Sequence, residues 1–289
     1  MNFEEIKSNL TEKGYVVIPG ILSPEEIQEA KDSFFQWKSA LPNHDVIHYK
    51  TDPHGIYKTM EAGHQRHAWF IRTRPQVQDV FKKLWDTDEL IVSFDGSCYI
   101  PKALQKADNI WTHTDQAPAY KGLKCYQGLV TLTSNKERTL VVYEGSHLLH
   151  QPYFEERGQN HKNNWNLIET EYLEEIQDKK RVLNIPAGSL VLWDSRTFHQ
   201  NQYGKPGSEE RLVQYVCYFP KNHPKNTTAM VRKRRGYFET RRTTSHWPAP
   251  IKVNGLQPRN YGNKQLIINY DELPEPELED LLPEIEKLI

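Results

Sequence analysis

Residues 90–100, LIVSFDGSCYI, mark a change of texture in this chain. From here on, short runs rich in Val, Tyr, Phe and Leu, bounded by Gly, Pro, Asn or Asp, follow one another. They are CYQGLVTLT (125–133), TLVVYEG (139–145), KRVLNIPAG (180–188), SLVLWDS (189–195) and RLVQYVCYF (211–219). β-Branched and aromatic residues suit a pleated, half-buried surface and the flanking residues form turns, so each run reads as a strand. Upstream the period is helical. A first helix leads into a short strand, YVVIPG (15–20). A second helix opens at Ser23, with Pro24 at its first position and Glu26 placed to complete a capping box. Ile27, Ala30, Phe34 and Trp37 recur at helical spacing behind that cap, as do Val77, Val80, Phe81 and Leu84 in RPQVQDVFKKLWDT (74–87). Helices first and many strands afterwards predict a mainly β fold, an antiparallel sheet with flanking helices. A closed barrel or a double sheet is the economical way to hide so many strand edges.

The chain has 289 residues, 37% of them hydrophobic and 11% aromatic, enough bulk for a sizeable core. Its formal net charge is −1, so nothing global points to nucleic acid or a membrane surface. No apolar run approaches membrane-spanning length, and the acidic opening MNFEEIKSNLTEKGY is wrong for a signal peptide. Cys98, Cys125 and Cys217 are widely spaced and form no CxxC pair. That argues against a structural zinc or a disulfide framework and fits a reducing, cytoplasmic setting. The charge balance hides a local asymmetry: KNHPKNTTAMVRKRRGYFETRR (221–242) is strongly basic and DELPEPELEDLLPEIEKLI (271–289) is acidic. Solvated charge at the end of a domain is one reading; a basic strip that recognises an acidic group is the other.

NIWTHTDQAP (109–118) sets His113 and Asp115 two positions apart, and in an extended strand residues i and i+2 project from one face. An imidazole nitrogen and a carboxylate oxygen can then reach one point, although HxD alone also arises by chance. IPAGSLVLWDSRTFHQNQ (185–202) strengthens the metal reading: a turn at Gly188, an apolar strand, and a short connection to His199. Two imidazoles and one carboxylate on one face of a metal leave three octahedral positions open, the facial triad of non-haem Fe(II) oxygenases. Oxygen and a co-substrate both need those positions. Arg211 opens RLVQYVCYF, and a guanidinium grips a carboxylate with a bidentate, permanent charge. Inside a barrel it is costly unless a dianion meets it, and 2-oxoglutarate is such a dianion. Taken in isolation, Arg211 reads instead as a surface partner of Glu209 or Glu210.

With these segments together, the sequence resembles the phytanoyl-CoA dioxygenase-like branch of the Fe(II)/2-oxoglutarate oxygenases over roughly residues 10–220. LTEKGYVVIPGILSPEEI resembles the family's N-terminal entry, THTD its HxD segment, and YEGSH (143–147) its glycine-serine-histidine turn. PAGSLVLWDSRTFH resembles its distal-histidine segment, and RLVQYVCYF the strand that begins with the co-substrate arginine. The resemblance implies a double-stranded β-helix core. It makes His113, Asp115 and His199 the catalytic iron ligands and Arg211 the 2-oxoglutarate anchor, with Gln127 as a further polar contact to the co-substrate. His147 matches a turn that shapes the site. The implied cofactors are Fe(II), 2-oxoglutarate and O2, with ascorbate as reductant. One domain is expected over 1–289: helical support in 1–89, the β-helix core in 90–220, an insertion at about 151–175, and a C-terminal extension over 221–289.

QPYFEERGQNHKNNWNLIETEYLEE (151–175) reads as a lid or as surface decoration, and EAGHQRHAWFIRTR (61–74) as a substrate entrance or a plain helix lead-in. RRTTSHWPAPIKVNGLQPRNYG (241–262) carries too much Pro, Gly and Arg for regular structure. The expected activity is a 2-oxoglutarate-dependent dioxygenase, with Asp115 favouring hydroxylation because halogenation needs that ligand position vacated. The expected substrate is a small molecule or one not identified by the sequence: small metabolite, acyl thioester, protein side chain and nucleobase all stay open. The rival is a non-catalytic β-barrel binding protein that uses 221–242 to hold a partner or nucleic acid.

Overall fold

The computed structural model describes residues 1–42, 48, 54–106 and 108–289. Among them run thirteen strands. In chain order these are β1 (Tyr15–Ile18), β2 (Ile56–Tyr57), β3 (Leu90–Val92), β4 (Ser97–Ile100), β5 (His113–Thr114), β6 (Tyr126–Thr131) and β7 (Leu140–Tyr143). There follow β8 (Asn166–Leu167), β9 (Lys180–Val182), β10 (Leu190–Asp194), β11 (His199–Asn201), β12 (Arg211–Val216) and β13 (Tyr218–Pro220). The expected runs LIVSFDGSCYI and RLVQYVCYF each break into two strands. The chain divides into two compact units, Met1–Gly20 with Ile100–Arg211 and Ile21–Tyr99 with Leu212–Ile289.

In the first unit β1, β10 and β6 lie side by side, with Leu190 opposite Ile18 on one flank and Val130 on the other. A second sheet runs β8, β5, β11, β7, β9. Both are antiparallel, and β10 is buried along its whole length, as its continuous apolar run requires. Helix Phe3–Lys13 leads into β1, with a capping box between Asn2 and Glu5 and Gly14 closing its C-terminus at φ 81°. Glycine suits that left-handed position, and space demands it too: a Cβ there would lie 2.5 Å from His147 Nδ1 and 2.8 Å from Thr197 Oγ1. The Gly14 carbonyl accepts hydrogen bonds from Thr197 Oγ1 and the Asp194 amide, both at 2.9 Å. The N-terminal segment thus grips the turn between β10 and β11.

The 151–175 insertion is anchored rather than decorative. Helix Ser146–Glu156, the residue after β8 and helix Thr170–Glu175 contribute Tyr153, Phe154, Ile168 and Leu173 to one buried cluster with Tyr143 and Phe198. Each aromatic ring so buried contributes roughly 2–3 kcal/mol of transfer free energy.

In the second unit β12, β4 and β2 lie in that order, and β13 pairs with β3. Helix Pro24–Ala40 begins with the expected Ser23–Glu26 capping box and buries Ala30, Phe34 and Trp37, while Ile27 stays half-buried. It packs on helix Arg66–Arg72. The stretch 61–74 is therefore core: His64, His67 and Arg72 are all fully buried. Helix Pro75–Trp85 buries Val77, Val80 and Phe81 and donates from Trp85 Nε1 to the Tyr218 carbonyl at 2.8 Å.

The basic segment forms a helix, Thr228–Glu239, capped by Thr227. Four of the segment's five arginines are used internally. Arg234 is buried and donates to the Pro248 carbonyl at 3.0 Å, and Arg235 pairs with Glu286 at 2.9 Å. Arg241 pairs with Glu61 at 2.8 Å, and Arg242 donates to the Asn254 carbonyl at 3.0 Å. The acidic tail ends in helix Leu282–Leu288, which buries Ile285 and Leu288 and packs on β3. Between them, 241–262 is irregular apart from one bridge between Thr244 and Val253. Among the described residues, no helix is long and apolar enough to cross a membrane.

Candidate functional site

Strand pairing assembles the site. β11 runs antiparallel to β5 with His199 directly opposite His113, so both imidazoles leave the same face of adjacent strands. Their ring centroids lie 4.4 Å apart. Asp115 follows β5 and is pinned by its own amide, which donates to the Ser195 carbonyl at 3.2 Å, while Thr114 Oγ1 donates to the same carbonyl at 3.0 Å. Asp115 Oδ2 ends 3.6 Å from His113 Nε2 and 3.4 Å from His199 Nε2. The three ligand-type atoms lie within 4.8 Å of one another, and all three residues are buried.

The remaining ring nitrogens decide what these histidines offer. His113 Nδ1 lies 3.1 Å from the Trp111 carbonyl and His199 Nδ1 lies 2.9 Å from the Thr197 carbonyl. A carbonyl only accepts, so Nδ1 carries a proton in each ring and Nε2 is the nitrogen left to face Asp115. Burial, reinforced by the neighbouring His199, holds His113 below its ordinary pKa and so keeps it neutral. Two imidazoles with Nδ1 engaged and one carboxylate form a donor set that fits a divalent iron, with carbonyl partners behind each ring as metal-binding histidines require.

Arg211 is fully buried, which excludes the surface ion pair. Its Nη1 donates to the Arg138 carbonyl at 3.3 Å and its Nη2 to Asn201 Oδ1 at 2.9 Å, while Nε is buried with no hydrogen-bond partner. Glu209, one of its two expected rival partners, instead accepts from the backbone amides of Lys136, Glu137 and Arg138. Asn201 sits two residues beyond His199 on β11, so the two share a face and the guanidinium is tied to the strand that carries the distal histidine. Among the described residues, no carboxylate pairs with Arg211, and a buried cation left so is costly until an anion arrives. Gln127, on β6, donates from Nε2 to Asp115 Oδ2 at 2.9 Å, and its Oε1 is buried without a partner. His147 lies elsewhere: its Nε2 is 2.9 Å from the Thr11 carbonyl, bracing the first helix.

Several contributors are not apparent from sequence alone. Trp111 stacks on His113 with centroids 4.9 Å apart, and Trp193 flanks His199 at 5.2 Å. Gln200 Oε1 accepts from the Trp111 amide at 3.1 Å and from Thr112 Oγ1 at 2.7 Å, locking β5 to β11. Arg138, also buried, supports the segment after β4 by donating to the carbonyls of Pro101 and Leu104. Asn201 had one visible signal, its two-residue spacing from His199.

Three solved structures share this fold. The epimerase SnoN of nogalamycin biosynthesis, in complex with Fe3+, alpha-ketoglutarate and nogalamycin RO, is 19% identical with a TM-score of 0.54, covering 75% of this chain and 83% of its own. EctD from S. alaskensis, with 2-oxoglutarate and 5-hydroxyectoine, is 16% identical with a TM-score of 0.53, covering 76% of each chain. HygX from Streptomyces hygroscopicus, with nickel and 2-oxoglutarate, is 14% identical with a TM-score of 0.51, covering 75% of this chain and 87% of its own. In sequence, Ava biosynthesis cluster protein O of Aspergillus versicolor is 30% identical, with 72% of this chain and 75% of that protein aligned. The profile of the phytanoyl-CoA dioxygenase (PhyH) family matches residues 10–202. The chain belongs to the phytanoyl-CoA dioxygenase family, and thereby to the iron- and 2-oxoglutarate-dependent oxidoreductases.

Proposed function

We propose that this protein is a dioxygenase that hydroxylates a small molecule while converting 2-oxoglutarate and O2 to succinate and CO2. One oxygen atom enters the new hydroxyl and the other enters succinate. In this reading His113, Asp115 and His199 hold Fe(II), Arg211 anchors the distal carboxylate of 2-oxoglutarate, and 1–289 acts as one oxygenase domain with a double-stranded β-helix core. The observation that carries the reading is the convergence of two histidine Nε2 atoms on Asp115 Oδ2, with distances of 3.6 and 3.4 Å. Bound iron supplies a redox-active Lewis acid that couples oxygen reduction to co-substrate decarboxylation and substrate oxidation. The chain's own part is positional. The Trp111 and Thr197 carbonyls fix the tautomers, Gln127 steers Asp115, and Asn201 with the Arg138 carbonyl aims the guanidinium.

The carboxylate at Asp115 supports hydroxylation over halogenation, and the small-molecule ligands of SnoN and EctD support a small-molecule substrate. Cytoplasmic placement belongs to the same proposal; Cys98, Cys125 and Cys217 are buried thiols outside any disulfide. The binding-protein rival loses its main support, because Arg234, Arg235, Arg241 and Arg242 are engaged within the second unit. The test is direct. Protein supplied with Fe(II), ascorbate and 2-oxoglutarate should release succinate, and His113→Ala should lose that turnover. Absence of both turnover and an anaerobic Fe(II)–2-oxoglutarate complex sinks the reading.

A further inference from the structure

The insertion contributes more than bracing. β8 runs antiparallel to β5 with Leu167 opposite His113 and Asn166 opposite Thr114. Directly opposed residues project to one face, and so do residues two apart on a strand. Leu167 therefore stands on the face from which His113 presents its imidazole, and Trp165, just before β8, reaches the same histidine with its ring. The Trp165 ring centroid lies 5.6 Å from that of His113, at 34°. Both side chains remain in water, Trp165 at 51% exposure and Leu167 at 53%. A lone exposed apolar residue is ordinary. Here, however, two large ones border three buried polar side chains whose donor atoms face one another. The ledge is also fixed in place: the Ile168 amide donates to the Thr112 carbonyl at 2.9 Å, and the Ala119 amide to the His161 carbonyl at 3.2 Å.

We propose that Trp165, with Leu167 beside it, selects the substrate by taking a small molecule that presents a flat, apolar ring face. This rests on the function proposed above and names its substrate class. An indole offers a wide π face at low conformational cost, and ring pairs gain attraction beyond the area they bury. A flexible acyl chain would recover the area but not the stacking. Preference for a flat ring over its saturated counterpart is thus the signature of the ledge, and stacking sets it at about tenfold.

The experiment titrates 2-naphthol and decahydro-2-naphthol calorimetrically, without oxygen, into protein loaded with Fe(II) and 2-oxoglutarate. The two probes share a hydroxyl and a carbon framework and differ in flatness. The expected result is binding of 2-naphthol about tenfold tighter in the native protein. Trp165→Ala should abolish that preference, Trp165→Phe should keep most of it, and Leu167→Ala should weaken both probes alike. A native protein that binds neither probe, or does not discriminate between them, overturns the proposal, as does a Trp165→Ala variant that still discriminates. The charge-transfer absorbance of the iron–co-substrate complex is read in the same samples. Its presence in native and variant proteins assigns any failure to the ledge alone, whereas its absence from the native protein overturns the functional reading on which the ledge depends.

Discussion

His113 and His199 in the first unit and His64 and His67 in the second are all buried, yet their rings are wired in opposite senses. In the first pair Nδ1 is taken by a main-chain carbonyl and Nε2 faces a carboxylate shared with the other histidine. In the second pair Nε2 is the nitrogen that is engaged, 3.1 Å from the Arg242 carbonyl in His64 and 2.9 Å from Ser97 Oγ in His67. The rings pack among aromatics instead, His64 at 4.7 Å from Phe94 and His67 at 5.1 Å from Phe34. Burial, reinforced in both by the Arg72 guanidinium, which repels a second proton, pushes each pKa down to about 3. Burial of a histidine therefore says little about function. Which nitrogen is free, and what it faces, separates a ligand from a core residue.

The largest expected effect breaks the first pair. Asp115→Ala, like His113→Ala, should lower iron-dependent 2-oxoglutarate turnover by at least about a hundredfold, since even partners behind a ligand are worth up to that much. The circular dichroism spectrum should be unchanged. His67→Ala should do the reverse, leaving iron affinity within about twofold while costing roughly 1–3 kcal/mol of stability through a lost buried contact. Loss of iron binding in the His67 variant would erase the distinction between the pairs.

The second pair makes its own prediction with pH. Folded His64 and His67 stay neutral down to about pH 3, whereas in the unfolded chain each takes a proton near the ordinary 6.5. The unfolded state thus binds more protons across that window, so stability is full above it and falls as pH drops. Well below pH 6.5 each histidine removes about 1.4 kcal/mol per pH unit, and because the slope is only half of that at pH 6.5 itself, the two together remove about 3 kcal/mol between pH 6.5 and 5. Urea unfolding at several pH values reads this slope, and His67→Gln should reduce it by about half. A slope unchanged by that substitution would show that other groups carry the acid sensitivity.

How much of this was legible in the chain follows the range of each signal. The spacing of His113 and Asp115 is local, and His199 follows an apolar run that reads as a buried strand, so the candidate ligands stood out once the family resemblance joined them. The capping box at Ser23 is equally local. Asn201, the Arg138 carbonyl and Trp165 depend on which strand lies beside which, and register between distant segments leaves no periodic trace. β8 is two residues long, too short for any alternation to announce it. The basic run 221–242 showed its charge but hid the helix inside it, and nothing local connects Arg235 to Glu286 or Arg241 to Glu61.

Arg211 sharpens the comparison from the side of the cations. Arg72 and Arg211 are both buried with Nε unpartnered, but Arg72 gives its terminal nitrogens to the Gly63 and Asp95 carbonyls, while Arg211 gives one of its own to Asn201 on the histidine strand. Arg211→Lys retains the charge but loses the forked geometry, so KM for 2-oxoglutarate should rise about 10- to 100-fold with iron affinity unchanged. Equal KM values in the two proteins would remove Arg211 from co-substrate binding.

The smallest effect tests the one residue with two possible duties. Gln127 donates from Nε2 to Asp115 Oδ2, and its buried Oε1 has no partner of its own. If it acts through Asp115, Gln127→Met leaves the carboxylate without its steering hydrogen bond, and iron affinity falls about tenfold while KM for 2-oxoglutarate holds. If it also touches the co-substrate, as the family resemblance implies, KM rises as well. Methionine preserves volume and removes both polar atoms, so packing is not the variable. Iron titration and co-substrate titration on the same variant separate the two duties, and an unchanged iron affinity would show that Asp115 is held in place by its backbone bond to Ser195 and by Thr114 without help from Gln127.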